Sequence, residues 1–410
     1  MEVIYSHCAA LDVHKNSVIA NVITPEYRET CTFGTMTKDL LELKQWLLDV
    51  KVTHVAMESA GVYWKPIYNI LEDSFTLILA NARYIKAVPG RKTDVKDAEW
   101  INDLARHGLL RGSYVPDRTH RELREVTRYR RILIRERGRV ICRIQKILEG
   151  ANIKLSSVAS DIIGVSGRMI LQAMINGIED PKELAAMAKG KLRKKTQSLE
   201  DALQGLMGTH QRRLIESELD HVDFLDQKIA KLDEDIAERM RPYDAIIERI
   251  DTVHGIGRRG AEEILAEIGP DVVSHFPDAH HLASWAKICP GNNQSAGKRK
   301  SGRTGHGNPW LHAVLVEIAW AAIRVKGGYY SSMYHRLAGR RGKKRAIVAV
   351  AHSILVTIYS MLKNNTVYHD LGECFHDLLN PEQVLRRAVK RIERLGYRVT
   401  VETALAPALT

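Results

Sequence analysis

The sequence predicts an α/β domain at the N-terminal end, then a helical coiled-coil segment, then a mostly α-helical C-terminal domain. Three observations carry this. Residues 1–115 hold five short apolar runs, 3–12, 17–23, 30–34, 53–57 and 75–80, of strand length and bounded by polar residues. Two stretches among them, Leu40–Val50 and Tyr63–Leu71, have helical apolar spacing. Beyond residue 116 the short runs give way to long charged stretches whose leucines and isoleucines recur at near-heptad intervals.

In the first domain, Thr37 is placed to cap the helix that follows it. The resulting order, β-β-β-α-β-α-β-α, is RNase H-like. In such a sheet the first and fourth strands are neighbours, so carboxylates at their C-terminal ends meet. Asp12 closes the run Ala9-Ala10-Leu11-Asp12, and Glu58 closes His54-Val55-Ala56-Met57-Glu58. Asp94 and Asp97 stand at i,i+3 on one helix face. A strand-end carboxylate is costly to hold without a partner. Each acid alone reads more simply as solvated; the joint placement favours an all-oxygen cage for Mg²⁺. Two such ions stabilise both the attacking and the leaving oxygen of a phosphodiester. Lys15, Arg91 and Lys92 flank the acids and are placed to hold phosphates.

The second segment, 116–250, is helical. Residues 111–150 hold twelve Lys/Arg against five Asp/Glu. Thr196–Met240 reads as long charged helix, with Leu199, Leu203, Leu206, Leu214, Leu219, Val222, Leu225, Ile229, Leu232 and Ile236 at near-heptad spacings, and a coiled coil or a helical hairpin is expected. Packing within the chain and dimerisation are equally good uses of that pattern.

The third segment, 251–365, opens with a literal G-x-G-x-x-G at Gly255, Gly257 and Gly260. It follows a helix-like stretch rather than a buried strand, which excludes a dinucleotide fold. A helix-hairpin-helix turn fits better: glycines let backbone N–H groups reach a phosphate, and the next helix offers its positive end. A plain tight turn is the alternative. Farther on, Ser295 sits among small residues beside Lys298, Arg299, Lys300 and Arg303. A serine hydroxyl needs activation to act as a nucleophile. On residues alone, a solvated phosphate-binding loop is the better reading. Arg336–Arg345 holds six cations in ten residues, among them Arg340, Arg341, Lys343, Lys344 and Arg345, and suits a nucleic-acid backbone. Tyr329, Tyr330 and Tyr334 suit base stacking or core packing. The tail, 366–410, carries a basic helix around Val384–Leu395.

A formal charge of +12 favours polyanionic partners. No apolar stretch reaches the 18–20 residues, roughly, of a membrane span, and the N-terminus lacks a signal-peptide pattern. A cytoplasmic, nucleoid-associated protein without membrane contact is expected. Five scattered cysteines, none in CxxC spacing, read as reduced, buried thiols.

Four stretches together resemble the DEDD transposases of bacterial insertion sequences, the bridge-RNA-guided recombinases. They are Leu11-Asp12-Val13-His14-Lys15, Met57-Glu58-Ser59-Ala60-Gly61-Val62-Tyr63-Trp64, Gly90-Arg91-Lys92-Thr93-Asp94-Val95-Lys96-Asp97-Ala98 and Ser295-Ala296-Gly297-Lys298-Arg299-Lys300-Ser301-Gly302-Arg303. The Gly255–Gly260 turn and Gly327–Leu362 extend the match over nearly the whole chain. The resemblance implies a RuvC-like domain at 1–115, an assembly and RNA-binding segment at 116–250, and a serine-bearing transposase domain at 251–365, with 366–410 the least diagnostic part. It implies that Asp12, Glu58, Asp94 and Asp97 bind Mg²⁺ and that Ser295 attacks DNA to form a phosphoserine link, which reverses the reading from residues alone. Ser301 is a neighbouring alternative. It implies donor and target DNA, a guide RNA, and a homo-oligomer, dimer or tetramer. One departure is Ala10-Leu11, where the family usually has Gly-Ile before the first Asp.

Two rivals remain at this level. One is a Holliday-junction-resolvase-like nuclease using the same acids and water as nucleophile. The other is a non-catalytic nucleic-acid-binding protein. A sugar-kinase-like ATPase would share the sheet order, but no second phosphate loop is present.

Overall fold

A computed structural model describes residues 2–59, 61–80, 97–110, 112–290, 293–305 and 307–402. They fall into two compact units, Met1–Thr119 and His120–Thr410.

The first unit is a five-stranded mixed sheet in the order β3-β2-β1-β4-β5, formed by β1 (Cys8–Val13), β2 (Ser17–Ile23), β3 (Arg28–Gly34), β4 (His54–Glu58) and β5 (Thr76–Ala80). Strands β1–β3 form an antiparallel meander, and β4 and β5 add in parallel beside β1. The predicted strands and their order are present. The first starts at Cys8 rather than at residue 3, because Ile4 and Tyr5 instead donate their N–H groups to the Arg106 carbonyl. Helix α1 (Thr37–Asp49) starts one residue before expectation. Its N-cap is Met36, whose N–H is held by the Asp39 carboxylate, so Thr37 is the first helical residue and not the cap.

Side-chain alternation sorts the sheet into two faces. Ala9, Leu11, Val13, Val55 and Met57 pack with Leu40, Leu43 and Leu47 of α1 and with Ile67 and Leu71 of α2 (Trp64–Leu71). On the other face Cys8, Ala10, Ala56 and Ala80 are small, and α3 (Asp97–Arg106) lies against them through Ile101, Leu104 and Ala105. Asn102, fully buried, locks α3 in register. Its amide donates to the side-chain and backbone carbonyls of Asn21 at 2.7 and 2.9 Å.

The second unit begins with a long helical hairpin. Helix α4 (Arg118–Gly150) runs antiparallel to α9 (Thr209–Met240): Arg130 pairs with Asp233, Arg137 with Asp226, and Arg143 with Glu218. Val140, Ile144 and Leu148 pack with Ile215, Leu219 and Val222 in one buried apolar seam. The seam is therefore filled within the chain. Of the two expected arrangements the structure has the helical hairpin, and the helical stretch 196–240 is interrupted. Helix α8 spans Thr196–Leu203, and the chain turns at Gly205, where a Cβ would lie 2.5 Å from the Ala151 carbonyl oxygen. Leu206, expected on the seam, is 90% exposed. Short helices α5 (Leu155–Val158), α6 (Val165–Ile175), α7 (Pro181–Ala186) and α8 (Thr196–Leu203) pack at the far end.

The remainder is helical around α16 (Lys343–Asn364), against which α10 (Asp244–Asp251), α12 (Val272–His275), α13 (Ala279–Ala286), α14 (Pro309–Ala322) and α15 (Tyr329–Arg341) pack. Helix α16 is long and apolar enough to cross a membrane, contrary to the reading of the sequence. Its apolar residues Val350, Ala351, Ile354, Leu355 and Ile358 are instead buried among these helices. Tyr330 and Tyr334 are buried too, and the Tyr330 hydroxyl donates to Thr357, so these two rings belong to the core. The tail carries α17 (Phe375–Leu378) and α18 (Pro381–Glu393), the latter beginning three residues before the expected Val384. All five cysteines are free, but Cys142 and Cys374 are exposed rather than buried.

Candidate active site

Strand register brings Asp12 and Glu58 side by side. β1 and β4 are parallel with Ala10 opposite Ala56 and Leu11 opposite Met57, so the next pair in register is Asp12 and Glu58, on strands about 4.8 Å apart. Alternation from Ala10 and Ala56 sets both on the face that carries α3. Helix α3 runs opposite to β1: its last carbonyl, at Arg106, meets Ile4 and Tyr5, and Asn102 bonds at Asn21, the partner of Ala10. Asp97 lies five residues, about 7.5 Å of helix, beyond Asn102. Asp12 lies two residues, about 6.6 Å of strand, beyond Ala10. The first residue of α3 therefore stands at the same end of the sheet as Asp12 and Glu58.

Asp12 is partly buried and its Oδ2 is 3.1 Å from His14 Nε2. His14 and Lys15 are exposed in the turn from β1 to β2, closed by a bond from the His14 N–H to the Ser17 carbonyl. Asp94, Arg91 and Lys92 lie outside the described residues. Among the described residues no three carboxylates, histidines or cysteines converge closely enough to hold a metal. Asp12, Glu58 and Asp97 carry carboxylate oxygens, the donor type that a hard divalent cation takes.

The serine stretch is a β-hairpin, not the loop read from the sequence. β6 (Asn293–Ser295) and β7 (Lys298–Ser301) pair antiparallel, with Ser295 opposite Lys298. The two-residue turn, Ala296-Gly297, has φ +50° and +75°. Positive φ at both positions is the type I′ geometry that suits a tight hairpin. Ala296 pays a steric cost there that a glycine would avoid. Ala296, Gly297 and Lys298 are exposed at the tip. Ser301, the alternative nucleophile, ends β7 opposite Asn293, at the other end of the ribbon, and Arg299 and Lys300 lie between.

Comparison with known families gives two matches. A DEDD transposase model of the IS110 type matches residues 9–153, and the model described as "Transposase IS116/IS110/IS902 family" matches 247–335. The chain belongs to the IS110-type DEDD transposases. No curated protein matches it. The transposase is thus a DNA recombinase whose substrate is DNA, of a family that works with divalent metal ions. The first match spans the sheet and the strand-end acids; the second spans the glycine turn and the serine hairpin.

The other predicted contacts divide. Gly255 and Gly257 lie in the turn between α10 and α11 (Arg258–Ile268). Gly255 has φ +86°, and a Cβ there would sit 2.4 Å from the Ala322 nitrogen of α14; packing alone demands glycine. Gly257 has open space around it. Arg258 and Arg259, at the start of α11, are engaged by Glu262 at 3.0 Å and Asp233 at 2.8 Å. Arg340, Arg341, Lys343, Lys344 and Arg345 surround the α15–α16 junction, are exposed, and among the described residues have no carboxylate partner. Lys298 and Arg303 are exposed.

Sequence reasoning missed a buried polar cluster between α4, α11 and α14. The Glu267 side chain, 4% exposed, accepts a two-pronged pair of bonds from Arg128 at 2.7 and 2.8 Å and one from Asn308. Arg130 and Arg131 both reach Glu263. The signal was present: Glu267 is a lone acid inside Ile264-Leu265-Ala266-Glu267-Ile268, where a charge must find a partner.

Proposed function

We propose that this transposase cuts and rejoins DNA through a covalent serine–DNA intermediate on Ser295, assisted by Mg²⁺, as two ions, at Asp12, Glu58, Asp94 and Asp97. The observation that carries the metal half is the placement of Asp12 and Glu58 as adjacent strand ends on one face, with Asp97 opening the helix packed on that face. Bound at these carboxylates, such ions would supply Lewis-acid stabilisation of the phosphodiester oxygens. For the serine half, the support is a nucleophile candidate one residue from an exposed two-residue turn, opposite Lys298. The Ser295 Oγ gives up its proton and bonds to phosphorus as one P–O bond breaks, and the departing oxygen takes a proton. Attack by the hydroxyl of a second DNA end reverses the exchange and frees the serine. Lys298, Arg299, Lys300 and Arg303 offset the charge that develops. Lys15, Arg91 and Lys92 would hold DNA near the acids, and Gly257 is the glycine of the turn with room for a phosphate.

Sequence choice is delegated to a guide RNA of the element, pairing with donor and target DNA. The exposed cations from Arg340 to Arg345 suit a backbone and carry no base code. A homo-oligomer, dimer or tetramer, brings two DNA ends together. The working division is a catalytic domain at 1–115, an assembly segment at 116–250, a serine domain at 251–365 and a basic tail.

The test is a trapping assay with Mg²⁺, co-expressed element RNA and end-labelled donor DNA, resolved on a denaturing gel. A labelled protein–DNA adduct lost in Ser295→Ala and Asp94→Ala, but kept in Ser301→Ala, supports the reading. Cleavage without an adduct, unaffected by Ser295→Ala, replaces it with a water-using nuclease.

A further inference from the structure

We propose that Glu267 is a positioning residue for the serine hairpin, acting through Asn308. The inference rests on the reading of Ser295 as nucleophile. Asn308 uses both ends of its amide. Its Oδ1 accepts from the N–H groups of Trp310 and Leu311 at 3.0 and 3.2 Å, which caps α14. Its Nδ2 donates to Glu267 Oε2 at 2.5 Å. Glu267 therefore sets the orientation of the residue that caps the first helix after the hairpin.

Between β7 and Asn308 the chain is held at several points. Thr304 pairs with Pro290 across the base of the hairpin. A Cβ on Gly307 would lie 2.4 Å from the Ala286 carbonyl oxygen, and one on Gly305 would lie 3.2 Å from Lys287, so both glycines sit close against the end of α13. The two-stranded ribbon rises from that base to its tip.

Glu267 is fixed from the other side by α4. Arg128 grips its carboxylate in two places, and Arg124 Nε stands 3.4 Å away. Arg124 also donates to the backbone carbonyls of Ala266 and Glu267 at 3.2 and 2.6 Å, satisfying the last turn of α11. The Arg128 guanidinium lies 5.8 Å from the centre of the Trp310 ring, in the first turn of α14. A buried carboxylate with two arginines is a poor choice for stability alone, since apolar residues of equal volume often do as well. What it supplies is a fixed acceptor for Asn308. The long helix, the glycine-turn helix and the base of the hairpin are thereby joined through one side chain.

Three variants of the full-length protein test this. Glu267→Gln keeps an acceptor for Asn308 but takes the charge from two arginines. Asn308→Asp keeps the cap, since Asp caps as well as Asn, but sets two carboxylates face to face. Glu267→Gln with Asn308→Asp restores an amide–carboxylate bond with donor and acceptor exchanged. The adduct rate, the melting temperature, DNA affinity and hydrogen exchange of the 298–308 amides are read for each. The expected pattern is a lowered melting temperature for Glu267→Gln with its adduct rate within about threefold of wild type. Asn308→Asp should lose tenfold or more in adduct rate, exchange faster over 298–308 and keep its DNA affinity within about twofold. The double variant should recover adduct rate and slow exchange together, although it too lacks the Glu267 charge. A purely structural role would make adduct rate follow melting temperature across all three, and that result, or no rescue in the double variant, overturns the proposal. Should the wild type form no adduct, the Ser295 reading fails, and the exchange data still decide whether Glu267 holds the hairpin: unchanged exchange in Asn308→Asp overturns it.

Discussion

Gly255→Ala separates packing from phosphate contact in the α10–α11 turn. The new Cβ would lie 2.4 Å from the Ala322 nitrogen, 2.8 Å from its Cα and 2.9 Å from the Ile318 carbonyl oxygen. All three are backbone atoms of α14, a helix whose buried face runs through Leu311, Leu315 and Ile318, so the neighbour cannot swing aside as a side chain would. Overpacking of this kind costs about 1–3 kcal/mol. The φ of +86° adds about 1–2 kcal/mol for a residue with a Cβ. The sum, about 2–5 kcal/mol, corresponds to roughly 4–10 °C in a unit of this size. Gly257→Ala is the control. Its Cβ meets nothing within 4 Å and its φ is −108°, so the loss should stay below about 1 kcal/mol. Thermal melts of both variants, with DNA affinity measured well below either transition, read the two effects apart. Gly257→Ala should weaken DNA binding with little loss of stability if the turn approaches a phosphate. A Gly255→Ala protein that melts within about 1 °C of wild type would refute the packing argument.

Asp12→Asn should abolish strand cleavage while leaving RNA binding intact, because one oxygen ligand is lost and the basic surfaces remain; retained cleavage in the gel assay removes Asp12 from the site. Arg340→Ala with Arg341→Ala should weaken nucleic-acid binding and flatten the log–log salt dependence by about 0.7–0.9 per lost phosphate contact, read by titration at several salt concentrations. Asp370→Asn should destabilise the C-terminal unit by no more than about 1 kcal/mol at pH 7, because the residue is exposed and solvent screens its contacts. Burial opposes ionisation of Asp370, but the N–H groups of Gly372 and Tyr329, the Tyr368 hydroxyl and His254 together hold its carboxyl below the usual range. A depressed carboxyl stabilises above its unfolded pKa and loses that contribution as the pH falls through the folded one. The gap between Asp370→Asn and wild type should therefore close below about pH 4 in pH-dependent melts.

The sheet was legible because period-2 apolar runs of strand length leave little choice of element, and a β-β-β-α-β order leaves little choice of neighbour for β1. The pairing of Asp12 with Glu58 follows from that order plus one register. What the sequence hid was the face. Cys8, Ala10, Ala56 and Ala80 are small because α3 presses on them, and only the packed structure shows that small residues mark the side on which the acids lie. The serine hairpin was read as a loop because its turn is Ala296-Gly297 rather than Asn-Gly, and its strands are polar with no apolar alternation to betray them. The position of the α8–α9 break was not legible because Leu206 continues the heptad spacing, while the close approach of Gly205 to Ala151 depends on a helix end more than fifty residues earlier in the chain.

The basic charge also reads differently once its partners are known. Residues 111–150 carry a local excess of seven cations, yet Arg128, Arg130, Arg131, Arg137 and Arg143 all reach carboxylates from α9, α11 or α14. A guanidinium already bound to a carboxylate releases no counterion from DNA, so these arginines should add little to the salt slope. The cations of the α15–α16 junction are different, as are Arg386, Arg387, Lys390 and Arg391 of α18, which are exposed and among the described residues lack acidic partners. Sequence density of arginine is therefore a poor guide to the binding surface: in α4 it reports how a long helix is fastened to the serine-bearing part of the chain, while among the described residues the cations clustered at a helix junction and on the tail are exposed and lack acidic partners.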